Sequence, residues 1–254
     1  MSSIPKTVVF VPGAWHNPQC FSLVAKQLRD AGYSTNLVTL PSVGASPFLE
    51  DFQPDVAKIR SAIQKAADQG HEVIVVVHSY GGVPSQEAIQ GLDLHTRQKQ
   101  GLSGGVAHIF FCCAFIVPPG QSLVSAFGGE HPPWYGFTED RQGVFPLTPA
   151  ETFYNDMPED QVESAVAMLR HQSINCSLTV LKYAAWRDVP STYLYCTKDQ
   201  ALPIEAQRMM VEELAGKQFG VTMRTETVEA GHSPFWSVPD EVTGAIRRAA
   251  GEEV

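Results

Sequence analysis

Short apolar runs alternate along this chain with longer stretches in which apolar positions recur every three or four residues. The strongest run is Val73-Ile74-Val75-Val76-Val77, five β-branched residues bounded by polar ones. An unbroken run of this kind predicts a strand buried on both faces. It leads into His78-Ser79-Tyr80-Gly81-Gly82 and then into a helical pattern over residues 83–91. Upstream, residues 7–11 predict a strand that ends at Pro12-Gly13. Asn17-Pro18 supplies an N-cap and a first-turn proline, and Phe21, Val24, Ala25 and Leu28 then share one helical face up to Gly32. Residues 34–40 predict a second strand, and the turn-rich 41–47 follows. Pro54 opens a helix with Val56, Ile59, Ile63 and Ala67 in register and Gly70 as its stop. Downstream, residues 106–117, 192–196 and 221–228 predict further strands. A helix runs from Pro203 to Gly216, and a terminal helix turns Val242 and Ile246 inward. Strands alternating with helices predict an α/β fold: a mostly parallel central sheet of about six strands, with helices on both faces.

Between residues 120 and 190 the pattern changes. Glycine, proline and aromatics crowd together, with Phe127, Trp134, Tyr135, Phe137 and Phe145 among them. Thr148-Pro149-Ala150-Glu151 starts a helix with a capping box, and a second helix from Pro158 carries Val162, Val166 and Leu169 on one side. The expectation is a small helical lid at 120–190, inserted between the core segments 1–119 and 191–254. Its aromatics either wall a pocket or pack the lid against the core.

At 254 residues and 44% hydrophobic, the chain can bury a full core. A formal charge of −9 with no basic run argues against nucleic acid and against an anionic membrane surface as partners. No apolar run approaches spanning length, and no apolar signal region stands at the N-terminus. The five cysteines include Cys112-Cys113 inside an apolar strand pattern, which suggests buried, reduced thiols. A cytoplasmic protein, monomer or homodimer, is the expectation.

Ser79 stands where a strand turns sharply into a helix, among small residues. This is the layout of a nucleophile elbow, with a helix N-terminus behind the hydroxyl. Asp199, in Lys198-Asp199-Gln200-Ala201-Leu202-Pro203, and His232, in Ala230-Gly231-His232-Ser233-Pro234, each follow the carboxyl end of another predicted strand. Open α/β sheets build their sites there. A serine hydroxyl is a weak nucleophile until an imidazole takes its proton. The imidazole needs a carboxylate to fix its tautomer and stabilise its charged form. Backbone N–H groups of Tyr80 and of Ala14, in the loop after the first strand, are the candidate oxyanion donors. Each residue has a plainer role to set beside this: a turn serine, a strand-capping histidine, and an ordinary turn aspartate with Asp188 as rival acid. His78 reads as a packed, hydrogen-bonded histidine. His16 is read as structural, or as lining the substrate pocket with Trp15, Trp134, Tyr135 and Phe137. No H-E-x-x-H, C-x-x-C, P-loop or G-x-G-x-x-G pattern is present, so neither a metal nor a nucleotide is expected.

The segments Val11-Pro12-Gly13-Ala14-Trp15-His16, Val77-His78-Ser79-Tyr80-Gly81-Gly82, Lys198-Asp199-Gln200-Ala201-Leu202-Pro203 and Ala230-Gly231-His232-Ser233-Pro234-Phe235-Trp236 resemble the small, cofactor-free serine α/β-hydrolases. That group holds many bacterial and fungal esterases and, more distantly, plant methylesterases and hydroxynitrile lyases. The resemblance runs from about residue 7 to 249, in the chain order Ser, Asp, His. One departure is Val77, which replaces the first glycine of G-x-S-x-G. Hydroxynitrile lyases of this kind carry threonine and lysine where this chain has Gly13 and Ser233, which disfavours cyanohydrin cleavage. The resemblance implies cofactor-free hydrolysis of a small, partly aromatic or apolar ester or lactone. Two alternatives stand beside it: the same residues cleaving a carbon–carbon bond or guiding a rearrangement, and a small-molecule receptor on a hydrolase scaffold.

Overall fold

The strand alternation in the sequence becomes a two-faced sheet. In the computed structural model, which describes residues 4–126 and 128–254, the strands are Lys6–Val11 (β1), Ser34–Leu37 (β2), Glu72–His78 (β3) and Gly105–Cys112 (β4). An insertion follows, containing Tyr135–Phe137 (β5), Gly143–Pro146 (β6) and Gln172–Ser173 (β7). The chain then returns as Ser191–Cys196 (β8) and Arg224–Val228 (β9). Six of these form one parallel sheet in the order β2-β1-β3-β4-β8-β9. Phe127 lies outside the described residues.

Because successive side chains on a strand point to opposite faces, β3 feeds two separate cores. Val73, Val75 and Val77 join Ile59, Ile63 and Phe111 on one side. Ile74 and Val76 join Phe21, Val24, Leu28, Phe110 and Ile246 on the other. Helix Gln53–Ala67 covers the first face. Helices Ser22–Asp30 and Pro239–Ala249 cover the second. The chain leaves β1 in one direction to make β2 and crosses back to make β3, so strand order reverses between β1 and β3. That crevice, above their carboxyl ends, is where such sheets bind ligands.

Three elements differ from expectation. The apolar run 106–117 predicts one strand, yet β4 stops at Cys112. Cys113 adopts φ 35°, and the chain leaves the sheet to cross the elbow, where Phe115 N–H donates to Ser79 O at 3.1 Å. Residues 113–117 are buried, so composition alone could not separate strand from buried loop. A short helix, Leu94–Lys99, interrupts a stretch left unassigned from sequence; Asp93 caps it by accepting from Thr96 N–H. The insertion carries helices Pro149–Phe153, Glu159–Ala167 and Asn175–Leu178. It also carries the three-stranded antiparallel sheet β5-β6-β7, whose strands are too short to show a period in sequence. All five cysteines are buried and unbonded. No helix among the described residues is long and apolar enough to cross a membrane.

Ile63 lies wholly buried between its helix and the sheet. Ile63→Ala is expected to cost about 2–5 kcal/mol through lost burial and a residual cavity. Urea unfolding should show this as a lower midpoint with an unchanged slope; an unchanged midpoint would mean that this face does not bear the load assigned to it.

Candidate active site

Ser79 sits at the turn from β3 into the 3-10 segment Ser79–Gly82, with φ 50°, a region a side chain enters only under constraint. Close backbone approach supplies the constraint. A Cβ on Gly13 would lie 2.8 Å from both the Ser79 Cβ and His78 Nδ1, and one on Gly82 would strike the Phe115 carbonyl. Glycine at both places lets the loop after β1 and the chain after β4 press against the elbow. Ala14, next to Gly13, is buried. The larger Val77 at the first position of the elbow motif points into the first core and is buried there without disturbing the turn.

The structure joins His232 to Asp199. The imidazole Nδ1–H donates to Asp199 Oδ2 at 2.7 Å, and both side chains are buried. The other carboxylate oxygen, Oδ1, accepts the backbone N–H groups of Ala201 and Leu202 at 2.8 Å each. These bonds fix the orientation of the carboxylate. Asp188 is exposed and accepts the Tyr183 hydroxyl, so it plays no part here. The backbone of His232 is held as well: its carbonyl accepts from His78 Nε2–H at 2.8 Å and from Cys113 Sγ–H at 3.4 Å. His78, the residue before Ser79, thus ties the elbow to the histidine loop, with its ring 4.6 Å from that of His232.

Three imidazoles meet in this region, His16 edge-on to His78 at 5.4 Å and His78 tilted against His232. Burial pushes His16 down to about 4, and it pushes His78 well below the ordinary histidine range; the neighbouring imidazoles add to both shifts. Neutral His16 is fully used: Nδ1–H donates to Ala14 O at 2.7 Å, and Nε2 accepts the Tyr154 hydroxyl at 3.2 Å. His78, Cys113 and His232 hold ligand-type atoms within 4.8 Å of one another. Of these groups, His78 Nε2 and Cys113 Sγ serve the His232 carbonyl and His232 Nδ1 serves Asp199, while His78 Nδ1 is buried with no hydrogen-bond partner.

Of the candidate pocket residues, Trp15, Trp134 and Tyr135 come together. Trp15, at φ 64°, lies 5.0–5.7 Å from Trp134 and Tyr135 and donates its indole N–H to Val144 O in the insertion. Phe137 lies apart, beneath Arg141 and beside His131. Sequence reasoning missed the residue that joins this cluster to the histidine. Phe153, wholly buried, packs on Trp15, His16 and His232 at 5.4–5.6 Å. Its helix starts at Pro149 as the sequence predicts, but Thr148 makes no side-chain cap bond, its hydroxyl pairing with that of Thr152, and the sequence pattern does not say what Phe153 will face. Also missed was Asp55, wholly buried, which accepts the Tyr80 hydroxyl at 2.7 Å and Ser42 N–H at 2.9 Å. Burial raises its carboxyl above the usual range, against the pull of those two bonds. The Tyr80 side chain is thereby anchored in the core, away from solvent.

A family model described as the alpha/beta hydrolase family matches residues 8–245. The chain belongs to that family. Among its relatives, the alpha/beta hydrolase nvfD of Aspergillus novofumigatus is 32% identical over 252 residues, covering 97% of each chain. Methyl jasmonate esterase 1 of Vitis vinifera is 25% identical over 256 residues and 91% of each. In structure, this alpha/beta hydrolase is similar to polyneuridine aldehyde esterase, with a TM-score of 0.78 at 17% identity over 97% of this chain and 99% of that one. The pyrethroid hydrolase of Sphingobium faniae gives 0.76 at 19% identity over 98% of both. At such identities the two structures show a shared fold. The named relatives are hydrolases and esterases, and this chain is an enzyme of that kind.

The buried histidines make acid stability a test of the site's electrostatics. His16 and His108 are both lowered to about 4 in the fold, chiefly by burial, against 6.5 when free. Between those values the unfolded chain binds protons that the folded one refuses, so stability falls as pH falls, by about 1.4 kcal/mol per unit for each such histidine. Asp55, raised in the fold, works the other way, favouring the folded state in acid. Chemical unfolding between pH 6.5 and 4.5 should show the decline, and His16→Gln should reduce its slope by about one proton. An unaltered slope would mean that His16 is charged in the fold.

Proposed function

We propose that this alpha/beta hydrolase cleaves a carboxylic ester or lactone of a small, uncharged, partly aromatic molecule, with Ser79 as nucleophile, His232 as base and Asp199 as its orienting acid. The observation that carries this reading is the buried hydrogen bond from His232 to Asp199, whose other oxygen is held by two backbone N–H groups, together with a serine held at φ 50° directly after His78, which bonds to the His232 carbonyl. A carboxylate held this way fixes the imidazole with Nδ1 as donor and leaves Nε2 free to accept a proton.

In the proposed cycle, Ser79 Oγ attacks the carbonyl carbon while its proton passes to His232 Nε2. The Ala14 and Tyr80 N–H groups receive the oxyanion. The tetrahedral centre collapses, the C–O bond to the alcohol breaks, and that alcohol leaves with the proton from His232. Water then repeats the attack on the acyl-enzyme, releasing the acid and freeing Ser79. Neutral His16 and the aromatic cluster of Trp15, Trp134, Tyr135 and Phe153 support an uncharged substrate, since an ionised one would enter a region poor in compensating charge. The relatives named for ester cleavage, methyl jasmonate esterase among them, support the ester itself. The insertion at 120–190 acts in this reading as the lid, with Phe153 over the imidazole. Small-molecule substrate, no added cofactor and a cytoplasmic setting complete the proposal.

Fluorophosphonate labelling with peptide mapping, beside p-nitrophenyl acetate turnover, tests it. Wild type should be labelled at Ser79, and Ser79→Ala should lose about a thousandfold or more in turnover. A label on another residue, or an active Ser79→Ala, removes Ser79 as nucleophile. Labelling without ester turnover removes ester hydrolysis.

A further inference from the structure

One turn of the insertion touches both of the loops that carry the His232–Asp199 pair. It follows helix Pro149–Phe153 and consists of Asn155 and Asp156. Asn155 Nδ2 donates to Lys198 O at 3.0 Å, and Lys198 is the residue before Asp199. Asp156 Oδ2 accepts the Gly231 N–H at 2.7 Å, and Gly231 is the residue before His232. The two loops also bond to each other, Lys198 N–H donating to Ala230 O at 2.9 Å. Three segments distant in sequence therefore meet one residue upstream of each member of the pair.

The fit is tight. A Cβ on Gly231 would strike Asn155 Oδ1 and lie 2.7 Å from Asp156 Oδ1, so the turn sits against bare backbone. The bond to Gly231 is short, at 2.7 Å. Asp156 Oδ1 is buried with no hydrogen-bond partner, so the carboxylate spends its accessible capacity on that single N–H. A polar group is desolvated here for one contact, and that contact lies beside His232.

We propose that Asn155 and Asp156 are positioning residues for the hydrolytic reaction: by holding Lys198 and Gly231 from a single turn, they set the relative placement of Asp199 and His232 for proton transfer. The inference rests on the triad reading above. Proton transfer demands alignment within a fraction of an ångström, and both partners sit on loops rather than on the sheet, so their spacing depends on what joins those loops. The bond between Lys198 and Ala230 fixes one point; the Asn155-Asp156 turn supplies a second on each loop and prevents rotation about the first.

The test measures kcat and KM for p-nitrophenyl acetate in wild type, Asp156→Ala, Asp156→Asn and Asn155→Ala, together with thermal midpoints and fluorophosphonate labelling rates. Asp156→Ala should lower kcat by about 10- to 100-fold and slow labelling in parallel, with KM within about threefold of wild type. Asp156→Asn keeps an oxygen that accepts the Gly231 N–H and should recover most of that loss. Asn155→Ala should lower kcat by about threefold to tenfold. A folded Asp156→Ala with wild-type kcat overturns the proposal, as does a loss confined to KM. If Asp156→Ala fails to fold, Asn155→Ala decides: wild-type kcat there overturns the proposal and a lowered kcat sustains it. An Asp156→Asn enzyme as poor as the alanine variant also overturns it, since charge and not the hydrogen bond would then matter. Active wild type with unaffected variants sinks this inference alone, whereas wild type that neither labels at Ser79 nor cleaves ester sinks the triad reading with it.

Discussion

A serine at φ 50° is the constraint on which the rest of the site depends. A side chain in that region costs about 1–3 kcal/mol, and the conformation persists only where its surroundings over-determine it. Here they do so from several directions. β3 enters the turn fixed by parallel neighbours on both sides. The chain after β4 leaves its sheet to donate Phe115 N–H to the serine carbonyl, and Gly13 brings the loop after β1 within contact of the serine Cβ. Asp55 holds Tyr80 from beneath, so the peptide following the serine is anchored through a side chain pointing into the core. Each contact comes from a different stretch of the chain. The elbow is thus a property of the assembled sheet, and the local sequence only permits it.

The parts legible in sequence were those whose physics is local. A five-residue β-branched run can only be a buried strand or part of a buried helix, and the flanking glycines decide for the strand. The placement of Ser79, Asp199 and His232 was legible because each follows a strand, and topology brings the carboxyl ends of parallel strands to one edge. What could not be read is what depends on distant partners. Cys113 turns out of its strand because Ser79 offers a carbonyl, although nothing in Cys112-Cys113-Ala114-Phe115 marks the break. β5, β6 and β7 hold three, four and two residues, shorter than any period can register. Asp55 reads as an ordinary first-turn acid of its helix, and only the fold shows that it faces Tyr80 rather than water.

Burial also determines which of the neighbouring imidazoles are free to do chemistry. His16 has both nitrogens occupied, and His78 has its Nε2–H on the His232 carbonyl; desolvation keeps both neutral. A charge on either would oppose the imidazolium that His232 becomes in the proposed cycle. Their neutrality therefore removes a repulsion that three neighbouring histidines would otherwise impose. His78 adds a mechanical role, since its bond couples the residue before Ser79 to the backbone of His232. Substituting it would change an electrostatic neighbour and a structural tie at once.

The insertion is part of this same machinery. Within four residues, Phe153 packs on the His232 ring, Tyr154 donates to His16, Asn155 holds the loop of Asp199 and Asp156 holds that of His232. The first of these contacts shapes the space a substrate would occupy, and the last two set where the loops stand. They share one backbone turn, so a change that reshapes the aromatic cluster also shifts the turn that grips the two loops. In the proposed reading, pocket shape and catalytic alignment are coupled through covalent connectivity, and a change of substrate at Phe153 would have to preserve the register of Asn155 and Asp156. The glycine at 231 sets the tolerance: with no room for a methyl group between loop and turn, the insertion has one seated position in which both contacts are made.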